Sequence, residues 1–128
     1  MTYLTETAME KRSYVAGALG EVRAEQLLSD KGYEILERNF RISGSEIDLI
    51  VRDGACIVFV EVKTRTRGAM TGRESVTPAK QRRICKGAVY YMMRRGLMNR
   101  QARFDVIEIQ GERVTHIVNA FPYQGPAF

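Results

Sequence analysis

"FVEVKTRTRG", residues 59–68, decides the fold. With Val58 before it, Val60 and Val62 alternate along one side of an extended segment, the period-two signature of a strand. The other side then carries Phe59, Glu61, Lys63 and Arg65. A strand this hydrophobic belongs inside a sheet, so an acid and a base two residues apart on one of its faces need a reason. A Glu-x-Lys on a strand is most often a solvated ion pair. Here Ile57 and Phe59 share the face, which makes it partly buried.

The preceding stretch brings a second acid to the same place. "SEIDLIVR" (45–52) alternates, with Ile47, Leu49 and Val51 on one face and Glu46, Asp48 and Ile50 on the other. "DG" at 53–54 is a strong hairpin signal. With Asp53-Gly54 as a two-residue loop, Arg52 faces Ala55, Asp48 faces Phe59 and Glu46 faces Glu61. Asp48, Glu46, Glu61 and Lys63 then share a face, and Asp48 and Glu61 are diagonal neighbours with Cα atoms about 7–8 Å apart. Two carboxylates so placed can hold one hard cation at about 2.0–2.6 Å from each oxygen. Like charges gathered on one face need something positive among them. Lys63 and a divalent metal are the two candidates.

A third acid arrives on a helix. Residues 11–31 have near-helical apolar spacing (Tyr14, Ala18, Val22, Leu27, Leu28), and Gly32 stands where a C-terminal stop belongs. Glu21 lies on the same side, among the small residues Gly17, Gly20 and Ala24, which let the helix approach the sheet closely. A charge among apolar neighbours is costly unless paired or metal-bound. The alternative is an acid at the edge of the stripe, paired with Arg23, Arg38 or solvent.

"YEILERNF" (33–40) reads as a further strand. The Gly-rich basic stretch 66–75 reads as a surface loop. Thr77 and Pro78 have the N-cap and first-turn chemistry of a helix that runs to Arg95, with Ile84, Ala88, Tyr91 and Met92 as its apolar stripe. "ARFDVIEI" (102–109) and "ERVTHIVNAF" (112–121) form a second hairpin across "QG". The order α-β-β-β-α-β-β implies an α/β fold with a single mixed β-sheet flanked by helices. The 128 residues suit one domain, with residues 1–12 and 120–128 expected as irregular tails.

Composition narrows the function classes. No apolar run approaches the roughly 20 residues needed to span a bilayer, and the N-terminus has no secretion-type apolar core, so a cytoplasmic protein is expected. Cys56 and Cys85 have no metal-ligand spacing with His116, the single histidine, and read as buried free thiols. The formal charge is +5, but its distribution says more. Between Lys63 and Arg103 there are twelve Lys or Arg and one acid, Glu74. That basic middle suits a polyanion such as nucleic acid.

An Asp, a turn, then Glu-x-Lys on the next strand resembles the core of the PD-(D/E)XK nuclease superfamily. The stretches "GALGEVRAEQLL" (17–28), "GYEILERNFR" (32–41), "GSEIDLI" (44–50), "FVEVKTR" (59–65) and "RFDVIEI" (103–109) together resemble the YraN-like uncharacterised bacterial proteins. The likeness runs through nearly the whole chain. Ser45 departs from it, standing where those proteins usually have Gly. The resemblance implies a restriction-endonuclease-like fold, similar also to Holliday-junction resolvases. It implies Asp48 and Glu61 as metal ligands for Mg²⁺ or Mn²⁺, with Glu21 and the Val62 carbonyl beside them, and Lys63 as the catalytic lysine. Lys80 and Gln81 open the helix where many members of the superfamily carry an auxiliary Lys or Gln. The resolvases it resembles are dimers, so a homodimer is one expectation, though no stretch here marks a dimer face.

That chemistry matches the residues. Phosphodiester hydrolysis needs an activated water and stabilisation of added negative charge on the phosphate. A metal held by one or two carboxylates keeps open positions for both, and Lys63 can orient or deprotonate the water or neutralise the charge. Arg65, Arg67, Arg73, Lys80, Gln81 and Arg83 are the candidate nucleic-acid contacts. Asp105 reads as a structural acid paired with Arg103 or Arg38. The expected function is a metal-dependent endonuclease acting on DNA, branched or damaged DNA included. The alternatives are a nucleic-acid-binding module without cleavage and a protein whose acids and Lys63 form a structural ion-pair cluster.

Overall fold

A computed structural model describes residues 8–65 and 76–125, with side chains from residue 18 onward. The elements follow the expected order: α1 (Ala8–Asp30), β1 (Glu34–Ile42), β2 (Ser45–Asp53), β3 (Cys56–Thr64), α2 (Pro78–Arg94), β4 (Gln101–Gln110) and β5 (Arg113–Phe121). The strands form one mixed sheet in the order β1-β2-β3-β4-β5. Every pair is antiparallel except β3 with β4, which α2 connects as a parallel crossover. Two boundaries differ from expectation. The helix already runs from Ala8, and β5, ending at Phe121 as the 112–121 strand predicts, takes Ala120 and Phe121 out of the expected irregular tail.

The sheet divides the core in two. On one face Val58, Val60, Leu49, Val51, Ile107 and Ile109 pack with Ala24 and Leu28 of α1. On the other, Ile57, Phe59, Ile50, Phe104 and Val106 pack with Ile84, Ala88, Tyr91 and Met92 of α2. The alternation of β3 is as the sequence predicts: the valines face α1, while Ile57 and Phe59 face α2. The stripe of α1 is not. Ala18 and Val22 are exposed, and the buried line is Gly20, Ala24 and Leu28, each four residues apart. Gly20 is there because a Cβ would stand 2.5 Å from Thr64 Oγ1 on β3. Tyr14 and Gly17, expected on that stripe, lie outside the described side chains.

The hairpin turns correct the expected register. Asp53 pairs with Cys56, so the loop is Gly54-Ala55, one residue beyond the expected Asp53-Gly54. Gly54 has φ +58° at the first loop position, the pattern of a type II′ turn, for which glycine carries no steric penalty. Sliding the loop by one residue moves the pairing by two. A two-residue shift leaves every side chain on its own face, which is why Asp48 and Glu61 still meet. The β1–β2 turn, Ser43-Gly44, has positive φ at both positions and is the type I′ pattern.

Candidate active site

The ladder between β2 and β3 runs from Asp53–Cys56 to Leu49–Val60 and stops there. The next residues in line are Asp48 and Glu61. In place of a strand bond, the Val62 N–H donates to Asp48 Oδ2 at 2.7 Å. The alternation of β2 breaks at the same point. Ile47 packs on the α2 side with Ile50, three residues on, while Leu49 packs on the α1 side. Ser45, Ile47 and Ile50 therefore share a face, contrary to the regular pattern expected from sequence. On the neighbouring strand Asn39 adopts φ +51°, a left-handed conformation that Asn tolerates better than most residues. Asp48 stays opposite Glu61, as the register of β2 on β3 requires, and Glu46 turns away. Glu46 is exposed, 3.4 Å from Arg41, at the rim rather than opposite Glu61.

A cleft of about 410 Å³ opens here, lined by Gly44, Glu46, Asp48, Glu61, Val62, Lys80, Arg83 and Ile84. Glu61 is only 5% exposed. Lys80, from the first turn of α2, places Nζ 2.6 Å from Glu61 Oε2. That contact is a charge-assisted ion pair at hydrogen-bond distance, made to a carboxylate that is itself buried. Thr77 caps α2 by accepting the Lys80 N–H at 3.2 Å, and Pro78 begins the helix. A lysine in a first turn that has no acid opposes the helix dipole. This was the sequence signal that Lys80 answers an acid elsewhere.

The electrostatics follow from the crowding. The Asp48 carboxyl is pushed up to about 8, by burial first, then by the charge and close approach of Glu61; the Val62 N–H works against the shift. Lys63 is driven below the ordinary lysine range by burial and by the neighbouring Lys80, while Glu61 and Asp48 pull it back up. Lys80 is raised: burial would lower it, but Glu61 outweighs that. Glu21 is raised by burial and then by Glu46 and Glu61, which brings the α1 acid to the same end of the sheet.

Among the described residues, no three His, Cys, Asp or Glu side chains converge tightly enough to mark a metal site by themselves. The pair Asp48–Glu61 does fit a hard divalent cation. Both are oxygen donors, the two carboxyls crowd each other with Lys80 as the counter-charge on Glu61, and a cation of the magnesium type needs only one or two carboxylates beside its waters.

The remaining expected site residues fall in three places. Arg83 lines the cleft. Arg65 has a side chain only 8% exposed and is bound to Glu108 at 3.1 Å, so it offers little area to a ligand. Gln81 donates to the Val76 carbonyl and accepts from Gln124, tying the start of α2 to the segment after β5. Arg67 and Arg73 lie outside the described residues. Sequence reasoning missed the seat of α2 on β2. Ser45 donates from Oγ to the Arg83 carbonyl at 2.6 Å, and Gly87 leaves room for it, since a Cβ there would stand 2.3 Å from that oxygen.

Asp105 is buried and structural, as expected. It is held by Arg103, His116 and the Asn119 N–H, whereas Arg38 pairs with Glu25. Cys85 is buried as expected and Cys56 half-buried; both are free thiols. No described helix is long and apolar enough to cross a membrane.

Comparison with known proteins identifies one family. The model described as "Uncharacterised protein family UPF0102" matches residues 20–109, a span that begins one residue before Glu21 and takes in Asp48, Glu61, Lys63 and Lys80. A UPF0102 protein of Geobacter sulfurreducens is 45% identical over 113 residues, covering 84% of this chain and 88% of the relative. One from Alkalilimnicola ehrlichii is 46% identical over 111 residues, covering 85% and 88%. One from Pelobacter propionicus is 48% identical over 113 residues, covering 82% and 81%.

Proposed function

The chain belongs to the UPF0102 family, and from that premise and the cleft we propose that it is a metal-dependent endonuclease with a restriction-endonuclease-like fold, hydrolysing phosphodiester bonds in DNA. The observation that carries the reading is the pair Asp48–Glu61. Two carboxylates are forced together where the strand ladder ends, one of them pushed up to about 8, beside a lysine whose pKa is depressed. A fold gains no stability from that arrangement. A site that recruits a cation does.

When bound, a divalent metal at Asp48 and Glu61 would supply Lewis acidity toward the phosphate and lower the pKa of a water. The chain's own groups do the rest. The Val62 N–H fixes the Asp48 carboxylate. Lys63, deprotonated more readily than an ordinary lysine, accepts a proton from the attacking water or orients it. Lys80 and Arg83 stand at the cleft to meet the negative charge of the scissile phosphate. Glu21, raised by burial and then by Glu46 and Glu61, adds negative potential when ionised, which favours the cation.

One observation favours a second reading, a nucleic-acid-binding module without cleavage. Lys80 already answers Glu61 at 2.6 Å, so the chain carries an internal cation of its own. A titration with Mg²⁺ and Mn²⁺ against single-stranded, duplex and four-way-junction DNA separates the two. Cleavage by the wild type, lost in Asp48→Asn and Lys63→Ala proteins of unchanged circular dichroism, is the expected result. Salt-sensitive binding without cleavage on any substrate gives the second reading, and variants that cut as fast as the wild type overturn the first.

A further inference from the structure

A second depression lies on the side of α2 turned away from the cleft. It encloses about 590 Å³, and its walls include Arg82, Lys86, Tyr90, Met93, Tyr123 and Gln124. A smaller cavity of about 280 Å³ adjoins it, sharing Val89 and Tyr123 and reaching Arg100. At about 100° per residue, Arg82, Lys86, Val89, Tyr90 and Met93 fall on one side of the helix, and the cleft residues Lys80, Arg83 and Ile84 on another. Large apolar side chains stay open to solvent here: Tyr90 is 41% exposed, Met93 62% and Tyr123 38%. Among the described residues, every charged side chain lining the two cavities is basic.

The occupant must therefore offer apolar surface and negative charge together. A second copy docked face to face would set Arg82 and Lys86 against their own counterparts, which costs affinity. A nucleic-acid strand repeats a flat π-surface and one negative charge at every nucleotide. The groove offers the complement, two tyrosine rings beside cations one helical turn apart. In a duplex the base faces are already stacked, so only an unpaired strand has them free. We propose that this groove binds a single-stranded segment of nucleic acid, with bases against Tyr90 and Tyr123 and phosphates at Arg82 and Lys86. The inference deepens the nuclease reading and rests on nucleic acid being the ligand. It makes the preferred substrate a branched one, with a duplex arm at the cleft and an unpaired strand passing around α2.

The test is fluorescence anisotropy on the full chain in EDTA, where metal-dependent cleavage is absent. The probes are a labelled oligothymidylate of about 12 nucleotides, within the usual range of single-strand sites, and a duplex of the same length. In Tyr90→Ala, oligothymidylate binding is expected to weaken about tenfold, and Tyr90→Phe, which keeps the ring, to retain it. In the double variant Arg82→Glu/Lys86→Glu the log–log salt slope for the single strand is expected to fall by about 1.4. Duplex binding holds in the tyrosine variants. Single-strand binding unaffected by Tyr90→Ala and by the double variant overturns the proposal while duplex binding leaves the nuclease reading standing. Failure to bind the single strand overturns the proposal, and the nuclease reading then stands or falls on the cleavage titration in Mg²⁺ and Mn²⁺. Sedimentation of the same samples excludes the remaining occupant: a wild-type dimer that Tyr90→Ala dissolves would make the groove a contact between copies and sink the proposal.

Discussion

Two clusters of charge sit on this sheet, and they are built in opposite ways. On the α1 face Asp105, 0% exposed, receives Arg103 Nε at 3.0 Å, the Asn119 N–H at 2.9 Å and His116 Nε2 at 2.7 Å. Arg103 also reaches Asp53 at 3.0 Å and the Tyr33 hydroxyl at 2.9 Å. Lys31 Nζ lies 2.8 Å from His116 Nδ1; an ammonium can only donate, so that nitrogen accepts and Nε2 carries the proton given to Asp105. Burial alone would raise Asp105, but these donors outweigh it and hold the carboxyl below the usual range. In the cleft the result is reversed. Burial and Glu61 raise Asp48 to about 8, and the Val62 N–H is what works against the shift, while Lys80 answers Glu61. A satisfied buried acid is architecture. A buried acid left short of partners marks where a ligand belongs.

The sharpest way to break that contrast is to delete one acid from each cluster. Asp105→Ala removes the buried acceptor shared by Arg103, His116 and the Asn119 N–H, leaving Arg103 with Asp53 and Tyr33, and is expected to cost about 3 kcal/mol of stability. Asp48→Ala removes one of two repelling carboxylates and is expected to leave stability in EDTA unchanged or raised. Urea denaturation of both variants checks this. An Asp48 variant as damaged as the Asp105 variant would make the two clusters equivalent, and the functional reading of the cleft would fail.

Magnesium gives the next largest effect. At a hundred times its dissociation constant a ligand that binds only the folded state adds about 2.7 kcal/mol. The wild type should therefore melt at a higher temperature in magnesium than in EDTA, and Asp48→Ala should not respond. Asp105 takes no part, so a conservative Asp105→Asn protein should lose stability yet keep the full magnesium increment. Equal shifts in wild type and Asp48→Ala would place the ion elsewhere.

The two acids should also pull stability in opposite directions with pH. Asp105 is lowered in the fold, so its contribution is present above the unfolded carboxyl pKa of about 3.9 and is lost as pH falls through the folded value. Asp48 is raised, so no cost exists below about pH 4, where both states hold the proton. The cost then grows as pH rises toward about 8. In EDTA the stability of Asp48→Asn minus that of wild type should widen between pH 5 and pH 8, on the order of a pKa-linked slope. A difference that stays flat across that range would mean Asp48 is not crowded.

How much of this could be read from the residues depended on range. The element order, the valine face of β3 and the meeting of Asp48 with Glu61 and Lys63 follow from period-two patterning, and survive a two-residue slip because side-chain direction repeats every two residues. The break at Asp48 did not show, since Ile47, Leu49 and Ile50 are all apolar and the sequence does not distinguish the two cores they enter. Val22 was misplaced for a related reason. The close approach by Gly20 and Ala24 was legible as small residues and Leu28 as buried, but the stripe placed Ala18 and Val22 beside them, and these two fall on the exposed side. The Lys80–Glu61 contact joins residues on different elements: a lysine in the first turn hints at an acid elsewhere, but which acid shows only when α2 is placed on the sheet.

That position can be tested with a smaller effect. Gly87 and Ser45 form the seat of α2 on β2, the strand that carries Asp48. In Gly87→Ala the new methyl would meet Ser45 Oγ at 2.3 Å, Ser45 Cβ at 3.2 Å and Ile47 Cδ1 at 3.3 Å. Relief requires α2 to lift, at an expected cost of about 1–3 kcal/mol. Ser45→Gly removes two of the three obstacles along with the bond to the Arg83 carbonyl, and is expected to cost about 1 kcal/mol by itself. The two changes should then be less than additive, with a coupling of about 1 kcal/mol in a double-mutant cycle. Because Lys80 rides on α2, Gly87→Ala should also reduce cleavage, and adding Ser45→Gly should restore part of it. The Arg103–Asp105 cluster lies across the sheet, so an Asp105→Asn change should add independently to either. Strict additivity between Gly87→Ala and Ser45→Gly would mean that the helix is seated by something other than this contact, and the link from the glycine to the cleft would be lost.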